Sequence, residues 1–302
     1  MPTSAPPELL DRLRLGMAEA VRALQDEICA ALERIDGRGR FARDAWDRPG
    51  GGGGVSRVLQ DGAVFEKAGV NVSDVHGELA PDLARKVQGE GAAFAAVGLS
   101  VVVHPVSPMV PTAHANVRFL RRGAAGWFGG GADLTPYYLF EEDCRHFHEA
   151  LRDACEQHEP GSYARHKRTA DAYFLVRHRG EHRGVGGIFY EDLGGDLVRE
   201  LELSRAVGRA FLDAYLPVVE RRKDLPYGDA ERRWQEIRRG RYVEFNLVHD
   251  RGTVFGLETG GRIESILMSL PPRVRWVYDD HPAPGSREAA LLDVLRKPRD
   301  WA

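Results

Sequence analysis

The chain has 302 residues and a mass of 33.6 kDa, enough to bury a sizeable core as one large domain or two smaller ones. A net charge of −3, with 43% hydrophobic and 29% charged residues, is ordinary for a soluble globular protein and points to neither nucleic acid nor an anionic membrane as main partner. Cys29, Cys144 and Cys155 form no CxxC pair, no apolar run approaches the roughly 18 residues of a spanning helix, and the first residues carry no basic-then-apolar leader, so we expect a soluble cytoplasmic protein without disulfides.

Taken in chain order, Leu9, Leu10, Leu13, Met17, Val21, Leu24 and Ile28 recur at helical spacing and predict an amphipathic helix from Pro7 to about Ile35. The glycine run Gly50 to Gly54 follows Pro49 and is either a flexible loop or backbone that passes close to something. The segment before it is too short to be a domain, and the whole chain, 1–302, is read as one. Short apolar runs rich in Val, Phe and Tyr then read as strands: Ala92 to His104, Ala115 to Leu120, Ala172 to Val176, Gly187 to Tyr190, Tyr242 to Val248, Val254 to Leu257 and Ser265 to Leu270. In Tyr242 to Val248, Val243, Phe245 and Leu247 alternate with Glu244 and Asn246. Asp250, Arg251 and Gly252 follow as a turn, which predicts a β-hairpin. Helical patterns return at Glu141 to His158, Leu201 to Arg222 and Arg287 to Arg296. Hairpin-joined strands mixed with long helices argue for an α+β fold around a largely antiparallel sheet.

GxxxxGK[ST], GxSxG, HExxH and a strand-to-helix GxGxxG are all absent, which removes the main support for nucleotide, hydrolase, metalloprotease and dinucleotide readings. His76 and Glu78 form an HxE pair, half of an iron-binding facial triad, although eleven histidines produce such a pair by chance. Lys occurs five times, leaving 37 of 42 basic residues as Arg, whose fork grips carboxylates bidentately. In HPVSPMVPTAH, bracketed by His104 and His114, Pro105, Pro108 and Pro111 forbid a helix and stiffen the backbone. If Ala115 to Leu120 is a strand, His114, Asn116 and Arg118 share one face, either solvated or turned to a ligand. His146 and His148 lie two apart on a predicted helix and cannot both serve one site. The basic stretch RHRGEHRG around His178 runs into GVGGIFYEDL, whose glycines allow close backbone approach and whose Glu191 and Asp192 end the strand with carboxylates, one of them a possible general base. In ETGGRIES, Gly260 and Gly261 beside Arg262 can offer N–H groups and a fork to a carboxylate.

Four stretches, HPVSPMVPTAHANVRF, WFGGGADLTPYYLFEEDCRHFH, DAYFLVRHRGEHRGVGGIFYEDL and RRGRYVEFNLVHDRGTVFGLETGGRIESILMSLPP, together resemble oxygen-dependent coproporphyrinogen III oxidases. The likeness runs from about Trp46 to the closing Arg299 to Trp301; Tyr190 and Glu191 stand where that family commonly has Phe and Asp. The resemblance implies a cytosolic homodimer on a large antiparallel sheet flanked by helices on both faces. It implies the conversion of two propionates of coproporphyrinogen III to vinyls with O2, giving protoporphyrinogen IX, CO2 and H2O2 in haem biosynthesis. By position it assigns substrate contacts to Ser100, Asn116, Val117, Arg118, Gly260, Gly261 and Arg262, and the proton donor to His114. It matches His104, His114, His148 and His178 to histidines proposed to bind a divalent, manganese-like metal in a family described both with and without a metal requirement, the alternative being that they serve substrate and proton transfer, and it assigns dimerisation to Tyr242 to Val277. No flavin, nicotinamide or haem is expected. Together with the residue reading this sets Arg118 and Arg262 to hold propionates, and His114 and Asp192 to move protons. The competing readings are a non-haem iron oxygenase built on His76 and Glu78, and a tetrapyrrole carrier without chemistry.

Overall fold

A computed structural model describes residues 1–85, 87–258 and 261–302. The elements are β1 (Thr3–Ser4), α1 (Pro7–Asp36), β2 (Ala42–Asp47), β3 (Gly52–Gln60), β4 (Phe65–Glu78), α2 (Pro81–Ala84), β5 (Ala93–Pro105), β6 (Thr112–Arg122) and β7 (Ala125–Thr135). They continue with α3 (Glu141–His158), α4 (Ser162–Tyr173), β8 (Leu175–Val176), β9 (Glu181–His182), β10 (Gly186–Leu193), α5 (Leu197–Arg222), α6 (Asp229–Val248), α7 (Arg251–Glu258), α8 (Ile263–Leu267) and α9 (Arg287–Arg296).

Among the described residues, an eight-stranded antiparallel sheet runs in the order β1-β7-β6-β5-β4-β3-β2, with β10 also paired to β7. Strands β2 to β7 are a meander, each hydrogen-bonded to the next, so long pairings form from neighbours in sequence. The period of two sends Val70, Val72, Val97, Leu99, Val101, Ala115, Val117 and Phe119 to one face, where the stripe Leu10, Leu13, Met17, Val21, Leu24 and Ile28 of α1 packs over them with α5. The other face carries α6, α7 and α8. Arg239 and Gln235 of α6 donate to the Pro105 carbonyl, Ser265 of α8 bonds Ser56 at 2.8 Å, and Met268 lies close over Gly69. Helices therefore cover both faces of an α+β sheet, as expected.

The helices α1, α3 and α9 fall where the sequence pattern places them, and α5 starts four residues earlier, at Leu197, where Asp196 caps it by accepting from the Val198 and Arg199 amides. The predicted hairpin is wrong. Tyr242 to Val248 is the last third of α6, and Val254 to Leu257 lies in α7. Five residues of alternation do not distinguish period two from period 3.6, whereas buried Trp234, Ile237 or Arg238, Tyr242 and Phe245 over the whole of α6 do. Leu247, which alternation would bury, is 44% exposed. Asp250 does not turn a hairpin but accepts from the Thr253 amide and so caps α7. The run from Ser265 is likewise helical, in α8, and Ala172 to Val176 divides between the end of α4 and the two-residue β8. Gly52 to Gly54 are strand residues, so the glycine run serves close approach: a Cβ on Gly54 would lie 2.3 Å from the Trp46 ring.

Candidate active site

The register builds rows of side chains across the face under α7 and α8. One row reads Ser56, Asn71, Ser100, Asn116, Gly131; the next reads Ser73, Gly98, Arg118, Gly129; a third reads Gly69, Val102, His114, Asp133, Gly187. Around Arg118 the floor is paved with glycine, and a Cβ on Gly129 would stand 2.9 Å from the guanidinium. Gly98, Gly129 and Gly131 leave a shallow, flat surface beside the Arg118 charge. Above it opens a cleft of about 820 Å³, lined among others by Ser100, His114, Asn116, Arg118, Asp192 and Arg251.

A continuous chain of polar contacts crosses this cleft. Buried Arg183 donates to Asn246 Oδ1 at 2.7 Å and, through Nη2, to both oxygens of Asp133 at 2.8 Å. Asp133 Oδ1 lies 2.8 Å from His114 Nδ1. Asn116 Nδ2 stands 3.5 Å from His114 Nε2, and its Oδ1 accepts from Arg118 at 2.9 Å. Arg118 then bonds Glu191 at 3.0 Å, and Arg251 of α7 reaches the other Glu191 oxygen at 2.6 Å. Burial alone would raise the Asp133 pKa, but the Arg183 charge and the His114 hydrogen bond outweigh it and hold the carboxyl below its ordinary value. An ionised carboxylate only accepts, so His114 Nδ1 carries a proton and Nε2 faces the cleft, an acceptor in the neutral ring and a donor in the imidazolium. That arrangement suits proton transfer. The guanidinium of Arg183 is further fixed by the rings of Phe174, Tyr242 and Phe245, 4.4–4.8 Å from its carbon.

Asp192 also lines the cleft. It sits at the irregularity of β10 with φ +55°, a left-handed conformation costly for a non-glycine residue, and Gln88 donates to its Oδ2 at 2.6 Å. Ser100, His114, Asn116, Arg118 and Asp192 thus line one cleft. Val117 does not: its side chain turns into the core on the opposite face. Arg262 pairs with Asp44 at 2.5 Å and donates to Ser265 at 3.1 Å, placing it beyond the floor toward the β2 edge. The Gly261 amide, expected to be free for a ligand, donates to the Gly256 carbonyl. Gly260 lies outside the described residues.

The four histidines assigned to a metal do not converge. His104 is buried, its Nε2 donating to the Ser269 carbonyl and its Nδ1 beside the Thr112 hydroxyl. His148 lies on the buried face of α3, its Nε2 toward the Val185 carbonyl and its Nδ1 beside the Tyr163 hydroxyl. Burial pushes the His104 pKa well below normal and that of His148 down to about 3, so both rings are neutral with each nitrogen already occupied. His178 pairs with Glu244 and His249 at the rim. Among these four, His114 alone turns a ring nitrogen, the Nε2 beside Asn116, into the cleft, and they do not fit one metal centre. Among the described residues no cluster of three or more His, Cys, Asp or Glu side chains could hold a metal, which leaves the pair His76 and Glu78 without a third ligand.

Sequence reading missed Asp133 and Arg183. The signal was available: Asp133 is an ionisable residue inside the strand-like WFGGGADLT, in step with Gly129 and Gly131. Arg183 was hidden in a basic stretch that looked solvated, yet it is 3% exposed.

Fold and site define a protein with a cleft lined by arginine, histidine and carboxylate side chains on a helix-covered antiparallel sheet. The family model for coproporphyrinogen III oxidase matches residues 16–301, and the chain belongs to that family. No helix among the described residues is long and apolar enough to cross a membrane.

Proposed function

We propose that the protein converts two propionates of coproporphyrinogen III to vinyls with O2 as co-substrate, yielding protoporphyrinogen IX, CO2 and H2O2. The observation that carries this reading is the flat, glycine-paved floor with Arg118 at its centre and the Asp133-held His114 beside it. For each propionate, a hydride leaves the carbon attached to the pyrrole ring and is taken up by O2 as hydroperoxide, and the bond to the carboxylate then breaks, releasing CO2 while its electron pair becomes the vinyl double bond. One further proton completes H2O2. His114 Nε2 is placed to supply or relay that proton, with Asp133 and Arg183 as positioning residues. Asp192, held in a strained conformation at the cleft wall, receives the pyrrole N–H proton of the electron-rich ring as hydride leaves and returns it to the same nitrogen as CO2 departs. Arg118 anchors a propionate on the floor. Arg262 anchors one at the edge after exchanging Asp44. We derive no step through a metal, because the four histidines do not share a centre, and no flavin, nicotinamide or haem enters the proposal.

The protein acts as a cytoplasmic homodimer through Tyr242 to Val277. Exposed Leu247, Val248, Phe255, Leu257, Ile263 and Trp276 all fall in this segment, an apolar surface of the kind that subunit contacts cover. The deciding experiment is anaerobic incubation with coproporphyrinogen III followed by admission of O2, with products read by mass. Loss of two CO2 only after O2 enters is the expected result; porphyrinogen binding without O2 consumption would instead define a carrier and overturn the reading.

A further inference from the structure

Arg118 and Arg251 enter the cleft from different elements, β6 and α7, and a single carboxylate holds both. Glu191 gives one oxygen to Arg118 at 3.0 Å and the other to Arg251 at 2.6 Å. The second Nη of Arg118 is taken by Asn116 at 2.9 Å, and the Arg251 guanidinium lies over the Tyr173 ring at 4.9 Å. Neither fork can therefore meet an incoming carboxylate bidentately while Glu191 stays in place. The two pairs are also exchangeable: side-chain exposure is 34% for Arg118, 64% for Arg251 and 27% for Glu191, against 2% for each partner of the Arg183–Asp133 pair in the same cleft. Solvated ion pairs of this kind are weak, whereas the buried one is fixed. Glu191 is carried next to the irregularity between Tyr190 and Leu193, where β10 departs from regular pairing with β7.

We propose that Glu191 is a specificity-determining residue: its carboxylate occupies the position between Arg118 and Arg251 that a substrate carboxylate takes, and a ligand enters by exchanging it. The inference rests on the tetrapyrrole reading above and deepens it. A ligand with its own carboxylate replaces one ion pair by another, while a neutral analogue would have to leave Glu191 where it is and forgo both arginines. The exchange also releases the Arg251 link by which β10 holds the start of α7, so binding a carboxylate and moving the cover of the cleft become one event.

The test measures binding of coproporphyrin III, the oxidised tetracarboxylate, and of its tetramethyl ester to the full-length wild type, Glu191→Gln and Glu191→Asp, by fluorescence, with thermal transitions showing that each is folded. Glu191→Gln should bind the tetracarboxylate about 3- to 10-fold more tightly, the size expected for removing a weak competing pair. Glu191→Asp keeps the charge but is one methylene too short to span both arginines, and should tighten binding part of the way. The ester should bind weakly and alike to all three. Tightening by Gln with Asp equal to wild type would reduce the effect to net charge and overturn the inference, as would unchanged or weaker binding by Gln. No saturable tetracarboxylate binding by any of the folded proteins would overturn the tetrapyrrole reading together with it.

Discussion

Replacing Asp133 by Asn removes the one charge that holds both Arg183 and the Nδ1 proton of His114. The carboxylate is 1% exposed and accepts twice from Arg183 and once from His114, all at 2.8 Å. In Asp133→Asn the buried guanidinium keeps Asn246 and its aromatic neighbours but loses its counter-charge, a change that costs about 3–5 kcal/mol. That is a large part of the roughly 5–15 kcal/mol that separates folded from unfolded chains. The amide can also turn its N–H₂ toward His114 and so favour the tautomer with the proton on Nε2, where it should lower turnover by about 10²- to 10⁴-fold. Because the Asp133 pKa is depressed in the folded state, its contribution is fully present above the ordinary carboxylate value of about 3.9 and is lost only as pH falls through the lower folded value. The difference from wild type should thus be constant between pH 6 and 8, a range chosen to lie roughly two units or more above that value. Urea unfolding and O2 consumption measure the two effects. The double variant Asp133→Asn with Arg183→Met, which removes both buried charges, should regain much of the stability and none of the turnover. A single variant with an unchanged urea midpoint and turnover within about twofold of wild type would refute the reasoning, since effects of this origin exceed that limit.

Arg118→Lys keeps the charge but loses the fork; KM for the porphyrinogen should rise about tenfold while the fold, followed by thermal unfolding, is unchanged. His148 is held neutral by burial with a pKa of about 3, so an unfolded chain binds the proton more readily and stability falls as pH drops below about 6.5. This one group should account for about 2 kcal/mol of the loss between pH 7 and pH 5, and His148→Phe should flatten the urea-midpoint profile over that range. If the proposed homodimer forms through the exposed apolar segment, Ile263→Asp places a charge in that contact and should shift sedimentation toward the monomer; a dimer unaltered by the substitution would refute this interface.

Much of the architecture was legible because local patterns carried it. The strand face of His114, Asn116 and Arg118 followed from period two alone, and α1, α3 and α9 from period 3.6 sustained along the whole of each helix. The misread stretch, Tyr242 to Leu257, failed for a physical reason: a short window of Val, Phe and Leu between polar residues fits either period, and α6 is decided by what Trp234, Ile237 and Phe245 pack against.

The residue types in the cleft and the strand that bears most of them were therefore determined by sequence. Tertiary structure alone decided their pairing. The four histidines are similar on paper, yet burial closes His104 and His148 into neutral, fully bonded positions while β7 delivers Asp133 to His114 alone. Arg183 and Arg118 are the same side chain, but one is walled in by three aromatic rings and the other is left exchangeable at the cleft. Spacing along a chain specifies which face a group occupies; desolvation and the partner across the sheet specify its charge, its proton and its freedom to meet a ligand.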